Sequence, residues 1–222
     1  GSLYFKSASK LSVYLFDRVI TDSFEMSKVY LKYFNNKSTI ISYGSTMINT
    51  NNKQILNSYK LKQKDYYLIV GRMIPDNNFK LIIDLFLNSN SKKKLVIIGD
   101  VPYKDKYASQ IKKIKSDKII LTGYIKCQSQ LSQFYKNCFG YIHGHEYGGT
   151  NPTMINALDL NCNILALNTK FNREMLQGIE SVFFEKNIKS IKGSIQNFEK
   201  NYKKFLKKNQ NYFLPNRYNW DY

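Results

Sequence analysis

The sequence predicts an α/β fold, a parallel sheet covered by helices on both faces. Three observations lead there. From Asp65 onward, short apolar runs alternate with amphipathic stretches, the rhythm of repeated β-α-β units. The runs are almost continuously apolar, as in Tyr67-Leu68-Ile69-Val70 and Leu95-Val96-Ile97-Ile98, which is how strands buried on both faces read. Several of them end in glycine, at Gly71, Gly99 and Gly123, so polar and flexible residues converge on one rim of the sheet.

The chain supports each element in order. Leu11, Tyr14 and Leu15 stripe a helix within residues 7–16, and Arg18-Val19-Ile20-Thr21 is a short strand followed by an Asp22-Ser23 turn. Residues 24–34 carry Val29, Tyr30 and Tyr33 on adjoining helical turns, and residues 38–42 read as a strand ending in Tyr43-Gly44-Ser45. Two strands and two helices are too few to close a core of their own. Residues 49–64 are polar and rich in Asn, Lys and Gln, a linker composition. The regular part then runs through strands at 66–71, 95–99, 119–123, 139–143, 163–167 and 182–184. Between them lie helices striped by Phe79, Ile82, Ile83 and Phe86, by Tyr107, Ile111 and Ile114, and by Leu131, Phe134, Tyr135 and Cys138. Further helices pass through Asn156 and start near Arg173, and Phe198, Tyr202 and Phe205 stripe a last, basic one.

The most informative stretch is Tyr141 to Ala157, YIHGHEYGGTNPTMINA. It reads as a buried strand, a glycine-rich turn and a helix opening near Pro152, capped by Thr150 or Asn151. Helix N-termini offer unpaired N–H groups and a positive dipole end, so the turn suits an anion. The plainer reading is an ordinary capped βα turn. No GxGxxG or GxxxxGK[ST] follows the first strand of the regular part, which argues against a dinucleotide dehydrogenase and a P-loop NTPase.

Composition bounds the rest. At 222 residues the chain can bury a real core, and no apolar run approaches the ~20 residues needed to span a bilayer. Gly1-Ser2 resembles a cloning remnant, and a fragment of a longer protein is expected. Cys127, Cys138 and Cys162 have no metal-type spacing, which predicts reduced thiols in a cytoplasmic compartment. The net charge of +18 predicts attraction to phosphates, nucleic acid or anionic lipid, although a Lys-, Asn-, Ile- and Tyr-rich chain is also what an AT-rich genome encodes. His143 and His145 lie close together at a strand end, but no third ligand is spaced for a metal, and none is expected.

Together these segments resemble the family-four retaining glycosyltransferases of the GT-B fold, and more closely their bacterial rhamnosyltransferase-type subfamily. The similarity rests on Tyr67 to Asn78 (YLIVGRMIPDNN), on Tyr141 to Ala157, on Phe171-Asn172-Arg173-Glu174, and on Asp17 to Ser23 with Tyr43-Gly44-Ser45. The resemblance implies the Rossmann-like C-terminal half of a GT-B fold plus a remnant of the N-terminal domain. Residues 1–48 would be the tail of the N-terminal, acceptor-binding domain, and 49–64 a linker. Residues 65–195 would be the nucleotide-sugar domain. Residues 196–222 would be a C-terminal helix and the start of a truncated crossover beginning near Arg217. It also implies roles. Arg72 would contact the donor diphosphate. The backbone of Gly148, Gly149, Thr150 and Asn151 would cradle the distal phosphate and sugar, and Ile125 would pack beside the base. His145, Glu146, Arg173 and Glu174 would lie near the donor rim, with a surface ion pair as the alternative for the last two.

The departures are specific. The wider family has two Glu where Gly148 and Asn156 stand, the second gripping the ribose hydroxyls, and a Lys where Asn77 stands. Asn156 can hydrogen-bond but lacks the charge. The expected protein is a retaining glycosyltransferase acting on a nucleoside-diphosphate sugar without a metal, with a glycan or lipid-linked acceptor. The fragment alone is expected to bind donor without turnover, and its lysine-rich C-terminal helix to rest on an anionic membrane surface. Two other readings remain at this point: a degenerate, non-catalytic transferase domain, supported by Asn156, and a basic nucleic-acid-binding module. The second is disfavoured because the aromatics fall at core-facing positions and no RNA- or DNA-binding signature appears.

Overall fold

The computed structural model describes residues 2–45, 47–48, 50–51, 54–209, 212 and 214–218. The remaining positions, including Gly1 and most of the crossover expected after Arg217, lie outside the described residues. In chain order the elements are α1 (Ser2–Leu15), β1 (Ile20–Thr21), α2 (Phe24–Phe34), β2 (Thr39–Ile40), α3 (Gln54–Ser58), β3 (Tyr66–Val70), α4 (Phe79–Leu87), β4 (Lys94–Ile98) and α5 (Lys106–Lys112). They continue with β5 (Ile119–Gly123), α6 (Gln128–Asn137), β6 (Gly140–His143), α7 (Pro152–Asp159), β7 (Ile164–Leu167), α8 (Lys170–Met175), β8 (Val182–Phe184), α9 (Ile188–Lys200) and α10 (Tyr202–Asn209).

Strands β3 to β8 form one parallel sheet in the order β5-β4-β3-β6-β7-β8. Its strands alternate between two cores because successive side chains point to opposite faces. Tyr67, Ile69, Leu95 and Ile97 pack with Phe79, Phe86 and Phe198 on one face. Tyr66, Leu68, Val96 and Ile98 pack with Phe134, Tyr135 and Met154 on the other. This double coverage is why the strands carry no polar alternation.

Two features differ from the sequence reading. The linker stretch contains α3, and both Leu56 and Leu61 are buried in the second core, so it is anchored to the sheet layer. The aromatic stripe of Phe198, Tyr202 and Phe205 spans two helices, α9 ending at Lys200 with Asn201 as its C-cap and α10 beginning at Tyr202. The Asn201 carbonyl accepts the Lys204 and Phe205 amides, so the face continues across the break. Tyr202 stacks on Phe139 at 3.9 Å and Phe198 on Phe205 at 5.3 Å.

Strands β1 and β2 form a separate two-stranded parallel sheet. Ser23 caps α2 by accepting the Met26 amide hydrogen. Around this unit Leu11, Tyr14, Ile20, Tyr33 and Ile41 are exposed, as expected of a piece too small to bury its own apolar residues.

Candidate functional site

The strand order reverses between β3 and β6: from β3 the chain moves outward through β4 and β5, then returns to β6 on the other side. Open α/β sheets bind ligands outside the carboxyl ends of strands at such a point. A cavity of about 830 Å³ lies there, walled by Arg72 after β3, Asp100 after β4, Ile125 after β5, His143 at the end of β6, and Asn151 and Thr153 at the start of α7. Its size falls in the range of small-molecule sites. Arg72 is the one Lys or Arg among the described residues that line it.

Backbone proximity shapes the rim. Gly99 has φ +140°, and a Cβ there would overlap the Gly71 carbonyl oxygen. A Cβ on Gly144 would come within 2.5 Å of the Asn77 carbonyl oxygen. The β3–α4 and β6–α7 loops are joined across the switch point. Asn78 Nδ2 donates to the Gly144 carbonyl at 2.8 Å, and the Glu146 amide donates to the Asp76 carbonyl at 3.0 Å. Asn77 Nδ2 donates to the Arg72 carbonyl at 2.7 Å, which leaves Asn77 Oδ1 to accept from His145 Nδ1, also at 2.7 Å. Asn172 Nδ2 donates to the carbonyls of His145 and Leu167 and secures the turn from behind.

Burial sets the protonation of both histidines. It holds His143 down to about 3, with a smaller push from His145. Burial also lowers His145, with Arg72 adding to it and Asp76 opposing it. Both rings are neutral at pH 7.

Of the residues singled out in sequence, Arg72, Ile125, His145 and Asn151 line the cavity. The others lie elsewhere for identifiable reasons. Gly149 packs against the N-terminal segment, and a Cβ on it would overlap Asp22 Oδ1 and Ser23 Oγ. The Thr150 amide donates to Asp22 Oδ2 at 3.1 Å, and Thr150 Oγ1 donates to the Asp22 carbonyl. The Asn151 amide meets Met175 Sδ at 3.3 Å, and Asn151 Oδ1 caps α7 by accepting the Thr153 amide hydrogen. The expectation of free amides at Thr150 and Asn151 is therefore corrected: those N–H groups already have partners, one supplied by Asp22. Gly148 adopts φ +103°, a conformation that favours glycine, at the bend of the turn.

Asn156 is buried in α7, and its Oδ1 lies 3.3 Å from Ser45 Oγ, away from the cavity wall. Glu146 pairs with Lys186, whose hydrogen bond lowers its pKa. Arg173 donates to Asn168 Oδ1 at 2.6 Å and lies over the Phe183 ring at 4.5 Å. The Glu174 carboxylate accepts the Phe24 and Glu25 amide hydrogens, each at 2.8 Å, and so caps α2. That position replaces both the donor-rim and the surface ion-pair expectations for Glu174. A second fastening comes from Ser45, whose Oγ donates to Asp159 Oδ2 at 2.6 Å.

Sequence reasoning did not single out Asp100 or Thr153 as site residues, and it weighed His143 only for a metal and for hydrogen bonding within the turn. His143 and Tyr141 lie two apart on one strand and so share a face, the one signal that could have paired them. Among the described residues, no group of three or more His, Cys, Asp or Glu side chains is placed to hold a metal ion. Nor is any helix among them long and apolar enough to cross a membrane.

The helix-covered six-stranded parallel sheet matches the C-terminal Rossmann-like domain of GT-B glycosyltransferases. The family model for glycosyl transferases group 1 matches residues 51–214, and the chain belongs to that family. Comparison with curated proteins finds no match. Among solved structures, HepE from Anabaena in complex with UDP-glucose is similar at TM-score 0.78 and 13% identity, over 95% of this chain and 63% of that one. A glycosyltransferase from Rickettsia africae is similar at TM-score 0.79 and 14% identity, over 97% of this chain and 63% of that one. Sucrose-phosphate synthase from Thermosynechococcus elongatus gives TM-score 0.76 and 13% identity, over 99% and 58%. The chain thus spans about three-fifths of the length of these structures.

Proposed function

We propose that this chain is the donor-binding part of a glycosyltransferase that moves a sugar from a nucleoside-diphosphate sugar to a glycan or lipid-linked acceptor, with retention and without a metal. The observation that carries this reading is the cavity at the switch point, which Arg72 and the first turn of α7 both line. A guanidinium fork suits phosphate oxygens, and the positive end of α7 adds a field of the right sign even with its amides partnered. Charge developing on the leaving diphosphate would be stabilised there. Ile125 and Leu131 give the cavity an apolar end suited to a base. HepE, solved with UDP-glucose, supports the donor class; the rhamnosyltransferase-type resemblance favours a rhamnose donor.

The acceptor side would come from polypeptide beyond these residues, and we expect the chain alone to bind donor without turnover. The basic helix α10, with Lys203, Lys204, Lys207 and Lys208, would face an anionic membrane bearing a lipid-linked acceptor. A thermal-shift screen across nucleotide sugars tests the main reading. Stabilisation by at least one nucleoside-diphosphate sugar, and not by the free sugar, is expected. No shift with any of them, together with salt-sensitive retention of DNA or RNA, would overturn it.

A further inference from the structure

Four side chains form a directed chain of hydrogen bonds between the α7 cap and the cavity wall. Asn151 Oδ1 is fixed as an acceptor because it takes the Thr153 amide hydrogen at 3.0 Å. Thr153 Oγ1 must therefore donate to it, at 2.7 Å. Its own lone pair then accepts from Tyr141 Oη at 2.9 Å. With that proton spent, Tyr141 Oη can only accept from His143 Nδ1, 3.1 Å away. A hydroxyl has one hydrogen to give, so the direction of the whole chain follows from its capped end.

His143 is thereby locked as the Nδ1–H tautomer, and its Nε2 must be a bare lone pair. That atom is buried and has no partner among the described residues, although His143 lines the cavity. Buried polar atoms without a partner are uncommon and call for an explanation. A phosphate oxygen cannot supply one, because two acceptors repel. A hydroxyl can.

We propose that His143 Nε2 accepts a hydrogen bond from a hydroxyl of the bound nucleotide sugar, making His143 an orienting residue that places the hydroxyl-bearing part of the ligand against β6 and the diphosphate toward Arg72. The inference rests on the nucleotide-sugar reading of the cavity. Neutral His143 would here serve as an acceptor inside a cavity whose wall Asn156 does not join.

The test combines calorimetry with nitrogen NMR of the ring, using the 222-residue chain. The probes are UDP, UDP-glucose, dTDP and dTDP-rhamnose. His143→Phe is expected to weaken binding about tenfold, the scale of one lost hydrogen bond to a ligand. Equal losses for a nucleotide and its sugar conjugate assign the contact to ribose; a loss confined to the conjugates assigns it to the transferred sugar. The wild-type ring is expected to show a protonated Nδ1 and a bare Nε2. Thr153→Val, which removes the acceptor for Tyr141, is expected to move the proton to Nε2 and to weaken binding in step. A wild-type chain that binds none of the probes overturns the cavity reading and this inference together. Wild-type binding that His143→Phe leaves unchanged, or a protonated Nε2 in the wild type, overturns the inference alone.

Discussion

Asp22 Oδ2 accepts the amide hydrogen of Thr150 at 3.1 Å, joining the turn before α2 to the turn before α7 across 128 positions of sequence. The arrangement is reciprocal, since Glu174 caps α2 from the opposite side. Each unit thus supplies a carboxylate to amides at the head of a helix in the other. Such bonds are charge-assisted and stronger than neutral ones.

Removing one half of this exchange should loosen the N-terminal unit before it unfolds the large sheet. Glu174→Ala is expected to cost about 1–2 kcal/mol, the range for losing a helix cap with a favourable charge at its N-terminus. Hydrogen exchange should quicken in α1, α2 and the β1–β2 pair while the β3–β6 amides stay protected. Uniform loss of protection across both sheets would contradict the prediction.

Gly149 is held by contact more than by conformation. A Cβ there would overlap Asp22 Oδ1 and Ser23 Oγ, so Gly149→Ala must push the Asp22 turn away. A loss of about 1–3 kcal/mol is expected, as for overpacking. It should be strongly non-additive with Asp22→Ala, because both act on one contact. Additive losses in a double-mutant cycle would show that the contact does not carry the effect.

Asn156 stands where the resembled family has a ribose-gripping Glu, and restoring that Glu should not help. Its side chain faces Ser45, which also bonds Asp159. Asn156→Glu would add a carboxylate three positions from Asp159 on the same helix face, a like-charge pair. Lower stability with unchanged nucleotide affinity is expected. Tenfold tighter binding of UDP-glucose by this variant would refute it.

His143 gives a pH signature. Its folded pKa of about 3 lies below the ordinary 6.5, so between those values the unfolded chain takes up a proton that the folded chain refuses. Stability therefore rises with pH through this window and is lost as pH falls from 6.5 toward 3, by up to about 1.4 kcal/mol per unit. His143→Gln removes this contribution. Urea titrations between pH 7 and 5 should show the variant losing less stability on acidification than the wild type. Parallel losses would contradict the assignment.

How much of this was readable in sequence depended on the range of the interaction. The six strands of the large sheet were legible because burial on both faces leaves unbroken apolar runs, and the α7 cap because Asn151-Pro152 is a local signal. The division between α9 and α10 was not, since Phe198, Tyr202 and Phe205 keep one face across Asn201. The fate of the α7 amides was illegible for a different reason. Whether Thr150 N–H is free depends on Asp22, and nothing in either local sequence announces their meeting. Arg72 was singled out through the resemblance carried by Tyr67 to Asn78, whereas His143 becomes informative only once the direction of its hydrogen-bond chain is known.

The most direct test is calorimetric titration of UDP-glucose and dTDP-rhamnose into the wild-type chain, Arg72→Lys and Arg72→Ala. The wild type should bind at least one of them, Arg72→Ala about 10–100-fold more weakly, and Arg72→Lys in between, because an ammonium keeps the charge but not the fork. Equal affinity across all three proteins would contradict a diphosphate held by Arg72 at the switch point.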